Sequence, residues 1–425
     1  MATDHNATQK PANNFWVAVT ALAGVPLIMV LGNSMLIPVL PDIKDTLHLT
    51  SVQVSLLITL FSVPAGITIP LAGFLSDRYG RKPVIIPSLV IYGLGGIVAA
   101  SASIFLKDAA FFGILAGRVL QGAGAAGTAP IAMALCGDLF SGKQRSQSLG
   151  TIESANGLGK VISPVLGSAV GLITWYAAFI FFPIIVIPVV IGMWFLVKEP
   201  DTKRNKQKLD IYLKNFTKVF KKQKGLLLSS YLAGAIALMV LFGVLFYLSE
   251  FLEQQYGLDG IKKGLVLAIP VLFMSGTSFV SGFIIKGKEP LMKILVVSGL
   301  TIMTVALILL PLSSNVILYF VAISVVGIGT GMVLPCLNTL ITSAASADER
   351  GLVTSLYGSV RFFGVAFGPP LYGFLASKGT GLMFWSSSGL TLLGAILSYF
   401  FIKGRDQNLT STFNFVPAPA KKPKN

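Results

Sequence analysis

The segment Gly73-Phe74-Leu75-Ser76-Asp77-Arg78-Tyr79-Gly80-Arg81-Lys82-Pro83 lies between two long apolar runs, residues 53–75 and 84–105. A tight turn with two glycines, one acid and three bases therefore joins two hydrophobic stretches. Basic residues collect on the cytoplasmic side of membrane proteins, so this turn orients both stretches. Apolar runs long enough to cross about 30 Å of hydrocarbon as helices recur along the chain, at 15–40, 53–75, 84–105, 110–135, 146–172, 175–197, 225–249, 264–285, 291–312, 315–341, 351–376 and 380–402. Twelve spans follow, in an all-α membrane protein.

Composition agrees. Of 425 residues, 54% are hydrophobic and only 12% charged, against about a quarter charged in soluble domains. Lipid must cover the excess apolar surface. The formal charge of +16 suggests nucleic acid, but the bases sit in short connectors and one linker, without aromatic–basic interleaving, zinc spacing or a helix-turn-helix. Arg78, Arg81, Lys82, Lys143, Arg145, Lys286, Lys288, Arg350, the linker and the C-terminal tail share one side. The other side holds Lys44, Lys107, Lys378 and the mixed segment 250–263. Both termini are then expected in the cytoplasm, and an even number of spans satisfies this. The first apolar run exceeds a signal peptide and is read as a retained span. Cys136 and Cys336 lie in apolar surroundings and build no disulfide framework.

The expected organisation is a six-helix bundle over 1–197, a basic linker over 198–224, a second bundle over 225–403 and a tail over 404–425. Ile211, Leu213, Phe216, Val219 and Phe220 make part of the linker either an amphipathic helix on anionic headgroups or a plain tether. The halves are related in sequence. Gly159 to Ser168 and Gly364 to Gly373 align Pro164 with Pro369, and the same offset aligns Arg145 with Arg350 and Asn156 with Arg361. Parallel repeats about an axis along the membrane normal fit this. The second copy of the opening loop, Ser281 to Pro290, is shorter and lacks a counterpart of Asp77. Prolines inside spans, Pro26, Pro64, Pro70, Pro164, Pro183, Pro188, Pro270, Pro369 and Pro370 among them, are candidate bends.

Ionisable groups inside a membrane are functional by default. Arg118 in Gly117-Arg118-Val119-Leu120-Gln121-Gly122 is one, with packing glycines beside it. It either serves a polar site or holds its helix to backbone carbonyls. Glu153 and Lys160 are the acid and base of span five. Two helical turns put them on one face, about 10 Å apart along the axis, with Gln121, Asn156 or Arg118 as a third group between. Desolvation and cations pull a buried carboxyl's pKa in opposite directions, which suits proton coupling; a static pair fixing register is the alternative. Arg361 is expected to face a central cavity, and Asn33 is the strongly polar residue of span one. Phe61, Phe242, Phe246, Tyr247, Tyr357 and Phe362 are candidate lining residues.

The opening loop resembles the G-x-L-a-D-r-x-G-r-K loop of the major facilitator superfamily of secondary transporters. Arg118 and Gln121-Gly122 resemble the R-x-x-Q-G pattern of its proton-coupled drug exporters. The Gly159–Pro164–Gly167 run resembles their antiporter motif, with Ser163 and Ser168 replacing glycines. Its second copy, with Gly364, Gly368 and Pro369, follows the motif better. The resemblance implies two bundles related by a pseudo-twofold, alternating access, and proton-driven export of amphipathic drugs from a bacterial plasma membrane. Export of a defined anionic metabolite such as a siderophore, peptide or lipid, or uncoupled uniport or lipid scrambling, are the other readings. It places Arg118 near a proton site and makes Asp77, Arg78, Arg81, Asp138 and Arg145 a clasp at the cytoplasmic ends. Many such exporters carry an acid in span one; its absence here leaves Glu153 as proton acceptor, with Lys160 beside it. Expected partners are a small-molecule substrate, protons and membrane lipids, for a monomer. No enzyme, metal or cofactor is implied, because no nucleophile–base pair, metal cluster or phosphate loop appears.

Overall fold

In a lipid environment every backbone polar group must be satisfied within the chain, so the spans are helical. The computed structural model describes residues 12–140, 142–199, 220, 223–285, 289–312, 316–344 and 350–402. These form α1 (Ala12–Ser34), α2 (Ser51–Tyr79), α3 (Lys82–Phe105), α4 in two pieces (Ala110–Ala125 and Ala129–Leu139), α5 (Gly142–Gly171) and α6 (Ala177–Leu196). The second bundle contains α7 (Lys224–Tyr256), α8 (Gly260–Ile285), α9 (Glu289–Leu309), α10 (Val316–Ala344), α11 (Arg350–Ala376) and α12 (Thr380–Phe401). Nearly all of the linker's bases, its amphipathic face apart from Phe220, and the tail lie outside the described residues.

Ten of these helices are long and apolar enough to cross a membrane; α5 and α11 are as long but too polar to qualify. They are the helices carrying Glu153, Asn156, Lys160 and Arg361. Lipid-facing stripes are plain elsewhere. On α6, Ile184, Ile187, Ile191 and Phe195 are each more than half exposed, at the spacing of one helical face.

The packing repeats. In the first bundle α1 packs on α5 and α6, α3 on α4 and α6, and α2 on α4. In the second, α7 packs on α11 and α12, α9 on α10 and α12, and α8 on α10. The bundles meet along α2–α11 and α5–α8, which a pseudo-twofold exchanges. Close glycine contacts follow the same relation. The offset that pairs Arg145 with Arg350 also pairs Gly122 with Gly327: Gly122 lies against the Phe61 carbonyl of α2, and Gly327 against the Pro270 carbonyl of α8. Of the packing residues read from sequence, Gly159 faces Leu27 of α1 and Gly167 the Met35 carbonyl in the turn after it, while Gly364 and Gly368 face the Ala235 and Met239 carbonyls of α7.

Two details differ from expectation. The first span does not end at residue 40. After α1 a 3-10 turn at Ile37–Val39 leads into a short helix, Leu40–Thr46, with Pro38 and Pro41 supplying no backbone N–H at those starts. Pro164 and Pro369 stay inside continuous helices, whereas α4 breaks at 126–128, before Pro130.

Replacing Gly122 by Val drives a branched side chain into a backbone carbonyl, so melting in detergent should fall by the equivalent of about 1–3 kcal/mol or more. Gly276→Ala enters open space and should not lower the midpoint. Equal midpoints for the two variants would contradict this packing.

Candidate functional site

Arg118 is fully buried. Its Nε donates to the Leu57 carbonyl of α2 at 2.8 Å, and its Nη1 to the Gly32 carbonyl of α1 at 3.0 Å and to Gln121 Oε1 at 2.8 Å. The guanidinium carbon sits 4.4 Å from the centre of the Phe61 ring, and the Tyr92 phenol lies within electrostatic reach. The arginine thus ties α1, α2 and α4 together. It does not fill the space between Glu153 and Lys160, because its bonds direct it to α1 and α2. Gln121 and Phe61 belong to the same sealed cluster. The second bundle has Ile323 and Val326 at the corresponding positions, both fully buried.

The other intramembrane charges lie on the seam between bundles. Lys160, on α5, interacts electrostatically with Arg361 of α11 and with Glu153 two turns away on its own helix. Lys160, Asn156 and Arg361 are half-buried and Glu153 is exposed. Arg361 spreads over the Tyr357 ring at 5.4 Å, which stacks on Tyr231. Its buried Nε and the buried Asn156 Oδ1 have no protein partner. Among the described residues neither Lys160 nor Arg361 makes an ion pair. Two cations and one carboxylate leave the seam with net positive charge and unfilled hydrogen-bonding capacity. An anionic group bearing acceptors and a donor fits that inventory.

Asn33 is buried, and its Oδ1 also lacks a partner. Phe242 and Phe246 are buried on α7, and Phe362 is half-buried on α11. Tyr247 lies elsewhere. It stacks on Phe251, which stacks on Tyr319, beside a cleft of about 630 Å³ bordered by Glu250, Gln254 and Phe384, at the rim opposite the Asp77 loop.

At the Asp77 loop the structure brings together three of the five expected residues. Arg81 Nη1 meets Asp77 Oδ1 at 2.5 Å and Ser76 Oγ at 2.8 Å, while its Nε meets Asp138 Oδ2 at 3.1 Å. Burial works against the Arg81 charge; Asp77 and Asp138 outweigh it and hold the guanidinium pKa above its ordinary value. Arg78 instead lies near the Tyr79 ring, and Arg145 is exposed beside Gly137. The first turn of α11 approaches Asp77, with the Cβ position of Gly351 3.9 Å from its Oδ2, as suits a carboxylate near a helix N-terminus. Farther along this seam Thr59 donates to the Ala366 carbonyl at 2.7 Å and Ser359 to the Gly66 carbonyl. Sequence reasoning missed Glu199. Its carboxylate accepts the Arg81 and Lys82 backbone N–H groups at 2.8 and 2.7 Å, while Lys82 Nζ caps the Trp194 and Val197 carbonyls. An acid at the very end of a span, in Lys198-Glu199-Pro200, was the available signal.

The family model of the Major Facilitator Superfamily matches residues 22–369 and 293–423. The chain is 44% identical over 389 residues to the "Bacillibactin exporter" of Bacillus subtilis (strain 168), covering 91% of this chain and 96% of that protein. It is 27% identical over 388 residues to "Multidrug efflux protein YfmO" of the same organism, covering 89% and 91%. A solved D-xylose-proton symporter superposes with a TM-score of 0.75 at 13% identity, covering 92% of this chain and 98% of that one, which shows the fold.

Arg118→Met removes the two charge-assisted hydrogen bonds that tie α4 to α1 and α2 and should destabilise the protein by about 3–5 kcal/mol, at roughly 1.5–3 kcal/mol each. Arg118→Lys keeps the charge but not the fork and should recover only part of that. The melting midpoint of the purified protein checks both; a wild-type midpoint for the methionine variant would remove the anchoring role.

Proposed function

This chain belongs to the Major Facilitator Superfamily, and we propose that it exports an anionic organic metabolite of the siderophore class by alternating access, driven by proton entry. The observation that carries the reading is that Lys160 and Arg361, on helices of opposite bundles, lie within electrostatic reach of each other, with no ion pair to either among the described residues and with the buried Arg361 Nε and Asn156 Oδ1 unpartnered. Alternating access rests on the family and on the repeated packing of the bundles. The substrate class rests on the full-length similarity to the Bacillibactin exporter, which favours a defined metabolite over the broad drug spectrum expected first. Net positive charge at the seam points the same way, because cationic amphiphiles are repelled there.

In this reading Lys160 and Arg361 hold the substrate's anionic group, and Asn156 and Tyr357 orient it. Glu153 carries the coupling proton. It shares the face of Lys160. In its charged form it accepts a hydrogen bond from the substrate's donor while Lys160 and Arg361 hold the anionic group. Protonation from the outer side removes that acceptor and releases the substrate, and loss of the proton to the cytoplasm restores it. Substrate and proton thus exclude one another, as exchange requires. Arg118 supports the site by fixing α4 against α1 and α2, without touching the substrate. The Asp77 loop lies in the cytoplasm, by its bases, and its contact with α11 closes that side when the bundles rock. The chain works as a monomer with both termini cytoplasmic.

Transport into vesicles of opposite orientation, measured with an iron-free siderophore and with a cationic dye, tests this. Lys160→Met and Arg361→Met should each reduce siderophore transport about tenfold to a hundredfold, the weight of one charge-assisted hydrogen bond, with dye movement no lower. Glu153→Gln should remove the dependence on the pH gradient. Equal loss of both compounds in the Lys160 variant would refute anion recognition, and gradient-dependent transport by Glu153→Gln would refute the proton role.

A further inference from the structure

The rim opposite the Asp77 loop carries charges that no transport role has yet absorbed. The turn and short helix after α1, Ile37–Thr46, lean from the first bundle onto the second, where Ser249 Oγ of α7 donates to the Ile37 carbonyl at 3.0 Å. From this arm Lys44 Nζ pairs with Glu250 of α7. The same carboxylate oxygen accepts from Gln254 Nε2 at 3.1 Å and lies 3.4 Å from Ser51 Oγ at the start of α2. Two residues before Lys44, Asp42 faces Lys263 of α8 at 3.9 Å. Lys263 is 1% exposed and is held within its own bundle by Glu253 at 2.7 Å and Asp259 at 3.7 Å. Each bundle thus offers one acid and one base to the other, in opposite senses.

We propose that Lys44–Glu250 and Asp42–Lys263 are a reciprocal latch that holds this rim shut until substrate release, here with the Asp77–α11 contact at the other end also formed, and that these four residues position the bundles for transport. The inference rests on the alternating-access reading above. Its physical logic lies in the unequal distances. The buried Lys263 keeps Glu253 and Asp259 when Asp42 departs, so opening does not strand a desolvated charge, the event that makes broken buried pairs costly. Glu250 likewise keeps Gln254 when Lys44 leaves. The latch is firm enough to set register and cheap enough to release. Helix contact reinforces it on the same rim: the Cβ position of Gly264 on α8 abuts the Pro164 carbonyl and Ser168 of α5, while Gly276 and Gly282, farther along α8, have open space. A cavity of about 170 Å³ bordered by Asp42, Ser168, Asp259 and Lys263 has room for several waters, at roughly 30 Å³ each, to solvate the parted charges.

Charge exchange separates this from a merely structural contact. Spin labels on Cys substituted for the exposed Thr46 and Gln255 report the width of the rim in the full-length protein without any substrate. Lys44→Glu should broaden the distances and lower siderophore transport about tenfold, since like charges are then opposed. The double variant Lys44→Glu/Glu250→Lys should restore both. Asp42→Asn, which removes the reverse pair without adding a charge, should broaden the distances in the same direction. Unchanged distances in Lys44→Glu and Asp42→Asn, or a double variant no narrower than the single ones, would overturn the latch. If distances respond as expected and no siderophore moves in the unsubstituted protein, the latch stands and the substrate assignment fails.

Discussion

A charge placed inside a membrane protein has to be neutralised, hydrogen-bonded or given water. This chain solves the problem in two ways, and the difference organises the molecule. Arg118 is sealed, with carbonyls of two other helices and a glutamine around it. Lys160 and Arg361 make no ion pair among the described residues, with Glu153 acting on Lys160 at a distance, on the two helices too polar to count as membrane spans by composition. The first arrangement builds a bundle; the second leaves a site between bundles. Three hydrogen bonds from Nε and Nη1 commit Arg118 to its own bundle; its Nη2 is unpartnered, but the side chain is fully buried away from the seam.

The same economy shapes the Asp77 loop. Three charges from two connections, Asp77, Arg81 and Asp138, form one cluster, and Glu199 adds a carboxylate to the N-terminus of α3. That cluster ties α2, α4 and α6 of the first bundle at one end, while α11 of the second bundle comes down against Asp77. At the other end the ties run directly across the bundles. Both ends of the contact between bundles are therefore charged, and the middle of the α2–α11 seam is joined by Thr59 and Ser359 donating to carbonyls.

Much of this was legible in the residues. Ten spans follow from hydropathy, because lipid leaves a helix no alternative; α5 and α11, which carry the charges of the seam, fall short on it, and the chain after α1 runs past residue 40 as a 3-10 turn and a short helix. The repeat at Pro164 and Pro369 was visible because glycines and prolines at helix crossings tolerate few replacements. Its extension to Gly122 and Gly327 became apparent only from the carbonyls they touch. The Asp77–Arg81–Asp138 grouping followed from the resemblance. Arg118 was harder: an arginine among glycines reads equally as ligand or anchor, since its partners are backbone carbonyls, which every sequence has. Tyr247 reads as a central lining residue and sits in an aromatic cluster at the rim, because helix position alone does not tell depth. The reciprocal rim charges were present as a mixed loop, 250–263, but pairing across distant segments has no local spacing to betray it.

The central claim is that an anionic substrate group lies between Lys160 and Arg361. The most direct measurement is an electron-density map of the protein with its transported siderophore bound. The account predicts density for the substrate's acidic group within hydrogen-bond distance of both cations and of Asn156. Substrate density in the rim cleft beside Tyr247 and Phe251, with the space between α5 and α11 holding only solvent, would contradict it.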